Sequence, residues 1–530
     1  MLQGEQRQAQ PDGLEITRTA REPVTRSDLG VPVQPDVNGS PRHRLVTVGD
    51  SLTHGFQSGA IFNTDLSYPA IIAWELGWYE HFRHPHYPAF GGIPFNIELH
   101  VRELESGFGD KLSWWELPGA LFRLRQRLAE AEHWWDGAGS AIPSSGPINH
   151  NLGIYGWDLR DALSRNADNA HEGLRTPDGH LVVPLVRNAD RISAGRVLGS
   201  ARTSGGLPMT PLQAAAALSR DGTDIDPNGN GIETLIVALG ANNALGSVLS
   251  LSVHWSGEGY EDLQRKARYN VWHPEHFASE WAQVVQHVRE IRARHVIVAT
   301  VPHVTIAPVA RGVGGKVEKG SRYFRWYTRP WISEDDFDPA EDPHLTADEA
   351  RMVDSAIDAY NETIVASVKQ AREEGRDWRL FDLAGLLDRV ASRRYLEDPD
   401  VRLPPWWTPY ELPAELQALT PPPDSRFFAS GPDGMIAGGL FALDGVHPTT
   451  IAYGVMAQEF IRVMQEAGVV FRRRDGITPR EGDVRVDWER LLARDSLISD
   501  PPASLDSDLK LIGWFDERID ILKRLWAGAA

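Results

Sequence analysis

Five short aliphatic runs, each closing in a polar turn and separated by stretches of helical periodicity, narrow the folds open to this chain more than any other feature. They occupy residues 44–49, 148–155, 234–239, 295–301 and 378–381, the first, third and fourth rich in Val, Ile and Leu. Runs that are apolar on consecutive residues suit strands buried on both faces, as in a parallel sheet. Helical segments follow or separate them, at 157–165, 210–220, 274–294, 347–374 and 450–467, the last stopped by Gly468. Strands alternating with helices predict an α/β fold with a doubly wound, five-stranded parallel sheet.

The connections are longer than such a sheet needs, so they predict large insertions at about 80–145, 166–232, 303–345 and 390–440. The first connection, 56–150, holds helical pieces at 68–78 and 117–131 beside Pro- and Gly-rich loops. Residues 1–42 are polar and lack sustained periodicity, which predicts an extended arm draped over a core domain of 43–470. Residues 471–530 read as a charged C-terminal extension with an amphipathic helix at 511–526.

Chemistry concentrates where strands end. The first run closes in Gly49-Asp50-Ser51-Leu52, and ligands of open α/β sheets bind outside the carboxyl ends of the strands. A serine there is either an N-cap or a nucleophile. The far end of the chain favours the second role. Asp444-Gly445-Val446-His447 precedes the last helix, with Pro448 near the start and Thr449 or Thr450 as cap. A carboxylate three residues before a histidine on a turn fixes the imidazole tautomer and leaves the other nitrogen as a base. A serine hydroxyl needs such a base. Donors for an oxyanion are offered by the Ser51 N–H, by Gly156, which lets backbone approach closely, and by the Asn242 amide.

Four blocks in order, Gly49-Asp50-Ser51-Leu52, Asn151 to Gly156, Gly240-Ala241-Asn242 and Asp444 to His447, resemble the SGNH hydrolase superfamily, also called GDSL esterases and lipases. The resemblance implies a flavodoxin-like three-layer α/β/α sandwich, a Ser51–His447–Asp444 triad, and an oxyanion hole of Ser51, Gly156 (or Gly153) and Asn242. It implies a serine esterase or lipase-like acylhydrolase that uses no metal and no organic cofactor. The same triad would serve an acyltransferase, and a non-catalytic scaffold on a hydrolase fold is the third reading. The family's third block usually carries Asp where this chain has Asn243, which implies tuning of the site rather than its loss. No Gly-x-Ser-x-Gly elbow occurs in the chain, against an α/β-hydrolase.

Composition limits the partners. With 42% hydrophobic and 24% charged residues the chain reads as soluble and globular. A net charge of −19 argues against nucleic acid and anionic membranes. There are no cysteines, so disulfides, thiol catalysis and cysteine–metal sites are excluded. No run approaches a membrane span and the first ten residues lack an apolar core, so the expectation is a cytoplasmic protein, export by another route left open. The expected partner is a small-molecule, lipid or carbohydrate ester.

Eighteen tryptophans, some in pairs such as Trp114-Trp115, Trp134-Trp135 and Trp406-Trp407, are read as packing before binding. His81, His84 and His86 read as a surface cluster rather than a metal site. The carboxylate-rich loop 221–231 lacks the glutamate a calcium loop requires and reads as a turn. The glycine-rich, basic segment 309–317 lacks the spacing of a phosphate loop and reads as a mobile loop.

Overall fold

The computed structural model describes residues 10–17, 19–35, 40–109, 117–143, 145–174, 183–221, 231–398, 400–503 and 505. Strands β1 (His43–Gly49), β2 (Asn151–Gly153), β3 (Ile232–Ala238), β4 (Ala293–Ala299) and β5 (Trp378–Phe381) form one all-parallel sheet in the order β5-β4-β3-β1-β2. Read from β2, this is the 2-1-3-4-5 order of a flavodoxin-like sheet.

Alternation along the strands divides the core into two layers. Val46 and Val48, Leu235 and Val237, Val296 and Val298, and Leu380 face one side. There they meet helices α3 (Pro211–Leu218), α5 (Pro274–Glu290) and α6 (Ala347–Glu373) through residues such as Leu212, Trp281 and Ile357. Leu45, Ile236, Ala238, Ile297, Ala299 and Phe381 face the other side. They pack against α2 (Tyr68–Glu75) and α7 (Thr450–Glu466), notably Ile72, Phe460 and Met464. Each fully buried aliphatic side chain contributes roughly 1.5–3 kcal/mol, so the two faces hold the sandwich without disulfides.

Both terminal segments are tied to this core where they are described. The N-terminal arm lies along the outer edge of β5. The Leu380 N–H donates to the Ser27 carbonyl at 2.9 Å and the Val24 N–H to Asp382 Oδ2 at 2.7 Å, closing an edge that would otherwise be open to pairing. Residues 471–500 are more than a charged extension: Phe471, Val484, Val486, Trp488 and Leu491 join the α2/α7 layer, and Arg480 pairs with Glu75 at 2.6 Å.

The structure corrects several expectations. The second strand is three residues long instead of the expected 148–155, because it is an edge strand that pairs only with the end of β1, Thr47 to Gly49. Asn149 is spent on the Arg196 and Val197 carbonyls, and the chain turns away beyond Ile154. The segment 309–317 is no mobile loop. Arg311–Lys316 is a strand, antiparallel to Phe324–Thr328, which in turn pairs with Leu345–Thr346. His84 is buried rather than at the surface, bonded to Thr64 Oγ1 at 3.1 Å, and burial lowers its pKa to about 4. Trp135, Trp157, Trp272 and Trp281 are fully buried, in line with packing. Trp114-Trp115, residues 222–230 of the acidic loop and the helix expected at 511–526 lie outside the described residues.

Candidate active site

Register decides where the site forms. β1 pairs with β2 and β3 so that Gly49, Gly153 and Ala238 lie level. The three chains leaving these strands therefore emerge side by side, at the point where the strand order reverses. Ser51 follows β1, Gly156 follows β2, and Asn242 follows β3 at the start of α4 (Asn242–Ser250). The loop before α7 brings Asp444 and His447 to the same edge.

At Gly49 any side chain is excluded: a Cβ would stand 2.0 Å from Thr53 Oγ1 and 2.8 Å from the Ala238 carbonyl. The chain then enters α1 (Ser51–His54), whose N-cap is Asp50, accepting from the Leu52 N–H at 3.1 Å. Capping by Asp50 leaves the serine hydroxyl for other work. Ser51 Oγ lies 2.9 Å from His447 Nε2, and His447 Nδ1 lies 3.0 Å from Asp444 Oδ2.

Asp444 is held from several sides. Its Oδ1 accepts the Val446 and His447 N–H groups at 2.9 and 2.8 Å, and Oδ2 accepts the Gly59 N–H at 2.8 Å as well as the imidazole. Burial alone would raise its pKa. The His447 imidazole and the backbone donors outweigh burial and hold the carboxyl below its usual range. Phe56 packs on the His447 ring at 4.4 Å between centroids and fixes its plane.

The donors sit beside the hydroxyl. Ser51, Gly156, Asn242, Asp444 and His447 line one cavity of about 30 Å³, completed by Phe56, Tyr155, Leu245, Leu249 and Val446. Gly156 has φ +76°, a left-handed conformation that presents its backbone there at little cost. The N–H of Gly153, the alternative donor, is spent on Asn151 Oδ1 at 3.0 Å. Asn242 Nδ2 donates one hydrogen to the Trp157 carbonyl at 2.9 Å, leaving the second for the cavity. Asn243 Oδ1 accepts the Leu159 N–H at 3.3 Å while its Nδ2 has no partner among the described residues. The acceptor half of an aspartate is thus retained at this position.

Sequence reasoning assigned no role to Asp50, His54 or Gly59. His54 is fully buried and burial lowers its pKa to about 3, so it is neutral. Its Nδ1 accepts the Tyr155 N–H at 3.3 Å and its Nε2 meets the Tyr87 hydroxyl at 2.9 Å, which anchors the turn carrying Gly156. The Ser58-Gly59 pair, both at positive φ, was the available signal for a turn that aims a backbone donor at Asp444. Among the described residues no His, Asp and Glu group is placed to hold a metal ion.

Burial raises the Asp50 pKa from 3.8 to about 6, against the opposing pull of the Leu52 N–H and the His447 charge. The folded state therefore holds this proton more tightly than the unfolded chain. The stability gained is complete below about pH 4 and is lost as pH rises through about 6. Asp50→Asn keeps an acceptor for Leu52 and removes the ionisation. Its melting temperature is expected to rise relative to wild type between pH 5 and 8, with a gain of at most about 3 kcal/mol at the upper end. Thermal unfolding of both proteins across that range checks it; a gap that shrinks with rising pH would contradict it.

Comparison with protein-family models and with curated proteins finds no match for this chain.

Proposed function

We propose that this chain is a serine acylhydrolase acting on carboxylic esters. The observation that carries this reading is the continuous Ser51–His447–Asp444 hydrogen-bond relay, 2.9 and 3.0 Å long, opening on a cavity shared with Gly156 and Asn242. A hydroxyl bonded to the outer nitrogen of an imidazole whose inner nitrogen faces a carboxylate is poised for nucleophilic attack.

In the proposed reaction Ser51 Oγ bonds to the ester carbonyl carbon as its proton passes to His447 Nε2. The carbonyl π electrons move to oxygen, and the oxyanion is received by the Ser51 N–H, the Gly156 N–H and Asn242 Nδ2. Collapse expels the alcohol, which takes the proton from His447, and leaves the acyl group on Ser51. Water then attacks, giving its proton to His447, and departure of Ser51 Oγ with that proton releases the acid. Asp444 stabilises the imidazolium in both halves.

Size and lining favour a short acyl group. A cavity of about 30 Å³ walled by Phe56, Leu245 and Leu249 accommodates a short acyl chain and leaves no depth for a long one. Aryl acetate is expected to exceed aryl octanoate in kcat/KM by about 100-fold or more, on the order of a few kcal/mol of lost fit. Leu249→Ala is expected to narrow that gap. Rates for acetyl, butyryl and octanoyl esters of one alcohol check this, and a preference for the octanoyl ester would contradict the assignment.

The nucleophile itself is tested by intact mass after exposure to a fluorophosphonate. One adduct on wild type, absent from Ser51→Ala, supports the reading. An unmodified wild type under conditions where it is folded counts against it and favours the scaffold alternative.

A further inference from the structure

The insertion between β4 and α6 and the loops following β5 enclose a second cavity of about 220 Å³. Arg311, Arg322, Arg393, Arg394 and Arg426 line it, and among the described residues no carboxylate does. In a chain of net charge −19, such a concentration of one sign is the reverse of the overall balance. Guanidinium groups taken out of water are ordinarily paired.

Two of the five are paired. Arg394 bonds Asp354 at 3.0 Å and Thr305 Oγ1 at 2.6 Å, and Arg426 is held by Asp424 with Glu397 at 3.4 Å. The other three have no bonded carboxylate among the described residues. Arg322 is 7% exposed, reaches the Tyr395 hydroxyl and the Thr19 carbonyl at 3.3 and 3.4 Å, and keeps Nε without a partner. Arg393 donates to the Gly312 carbonyl at 2.7 Å and lies over Phe324, again with Nε unpartnered. The Arg311 side chain makes no hydrogen bond or ion pair with the described residues, and its Nε is buried.

The remaining charges act on them only from a distance: burial disfavours the Arg322 charge, while Tyr323, Tyr395 and Asp354, which is itself bonded to Arg394, favour it. Lys316 adds another cation, satisfied by the Arg322, Arg393 and Arg394 carbonyls. Burial and then Arg394 push its pKa down to about 8. Burial and the charge of Arg311 lower the Arg393 pKa, with Glu397 and Glu334 acting on it from a distance. Glu334 is spent on the Gly314 N–H at 2.7 Å. Asp358 and Asp388 face His303.

We propose that this cavity binds a small oxyanion-bearing molecule, its phosphoryl or carboxylate group received by Arg311, Arg322 and Arg393. Planar guanidinium forks match both groups, and desolvated cations gain most from such a ligand. The volume admits a small molecule and excludes a whole nucleotide, and Ile306, Phe324 and Phe427 offer an apolar wall for a short carbon skeleton. The site adjoins the acid–base loop: Phe427 stands against Gly445, whose carbonyl accepts the Val309 N–H at 2.9 Å. The assignment is independent of the esterase reading.

The test is isothermal titration calorimetry of the full chain with inorganic phosphate and, separately, succinate at pH 8, against sodium chloride at matched ionic strength. Saturable binding of one or both anions is expected, weakened at least tenfold in Arg311→Gln and in Arg393→Gln and unchanged in Arg289→Gln on the distant α5 surface. Without anion, the first two variants are expected to melt no lower than wild type, since each removes a like-charge neighbour. The tighter anion identifies the group as phosphoryl or carboxylate. Absence of saturable heat with both anions in wild type, or binding that survives both cavity substitutions, overturns the proposal.

Discussion

Ser51→Ala is expected to lower kcat for ester hydrolysis on the order of 10⁶-fold while leaving the melting temperature nearly unchanged. The size follows from where the hydroxyl stands. It is the atom that bonds to substrate in the proposed reaction, and His447 Nε2 at 2.9 Å is its hydrogen-bond partner. Its removal leaves a methyl group at the edge of an apolar cavity and unpairs only the His447 Nε2 acceptor, which already faces that cavity. His447→Ala is expected to lose nearly as much, and the double variant no more than either single one, because the two residues act as one unit. Steady-state rates of the three variants on a short-chain aryl ester check this. A Ser51→Ala rate within tenfold of wild type contradicts the mechanism.

Much of the frame behind this result was legible in the chain. Largely aliphatic stretches at 45–48, 235–239 and 296–299 mean burial on both faces, and helices between them leave a parallel sheet as the economical arrangement. Ser51, Asp444 and His447 were legible because a strand end and a helix start each fix where a side chain emerges. Less was legible where contacts join distant segments. The Gly59 N–H reaches Asp444 across 385 residues, and neither partner carries a local pattern that names the other. The length of β2 depends on how far β1 extends beside it, so the run expected at 148–155 overstates it. The arginine cavity is assembled from residues 311, 322, 393, 394 and 426, and in sequence each reads as a solvated charge. Segment 309–317 misled for a related reason: its glycines signal a loop, while pairing with Phe324–Thr328 supplies the order.

Asp444→Asn tests the orientation of the imidazole rather than the nucleophile, and is expected to lower kcat about 10⁴-fold with a small effect on KM. The carboxylate accepts on both oxygens, from two backbone N–H groups at Oδ1 and from the Gly59 N–H and His447 Nδ1 at Oδ2. An asparagine has one acceptor and one donor end. With its oxygen kept toward Val446 and His447, its NH₂ group faces the Gly59 N–H and the ring nitrogen. The Gly59 donor is then orphaned, at a cost of about 1–3 kcal/mol. Nδ1 is driven to accept, which moves the ring proton to Nε2, where it points at Ser51 and removes the base. With the amide flipped, both loop N–H groups lose their acceptor instead, so the first arrangement is favoured. Asp444→Asn is therefore expected to combine a lowered melting temperature with intact substrate binding, and its activity should recover partially as pH rises and hydroxide takes over as base. Rate–pH profiles beside thermal unfolding separate the two effects, and a variant as active as wild type at pH 7 would remove Asp444 from the proposed relay.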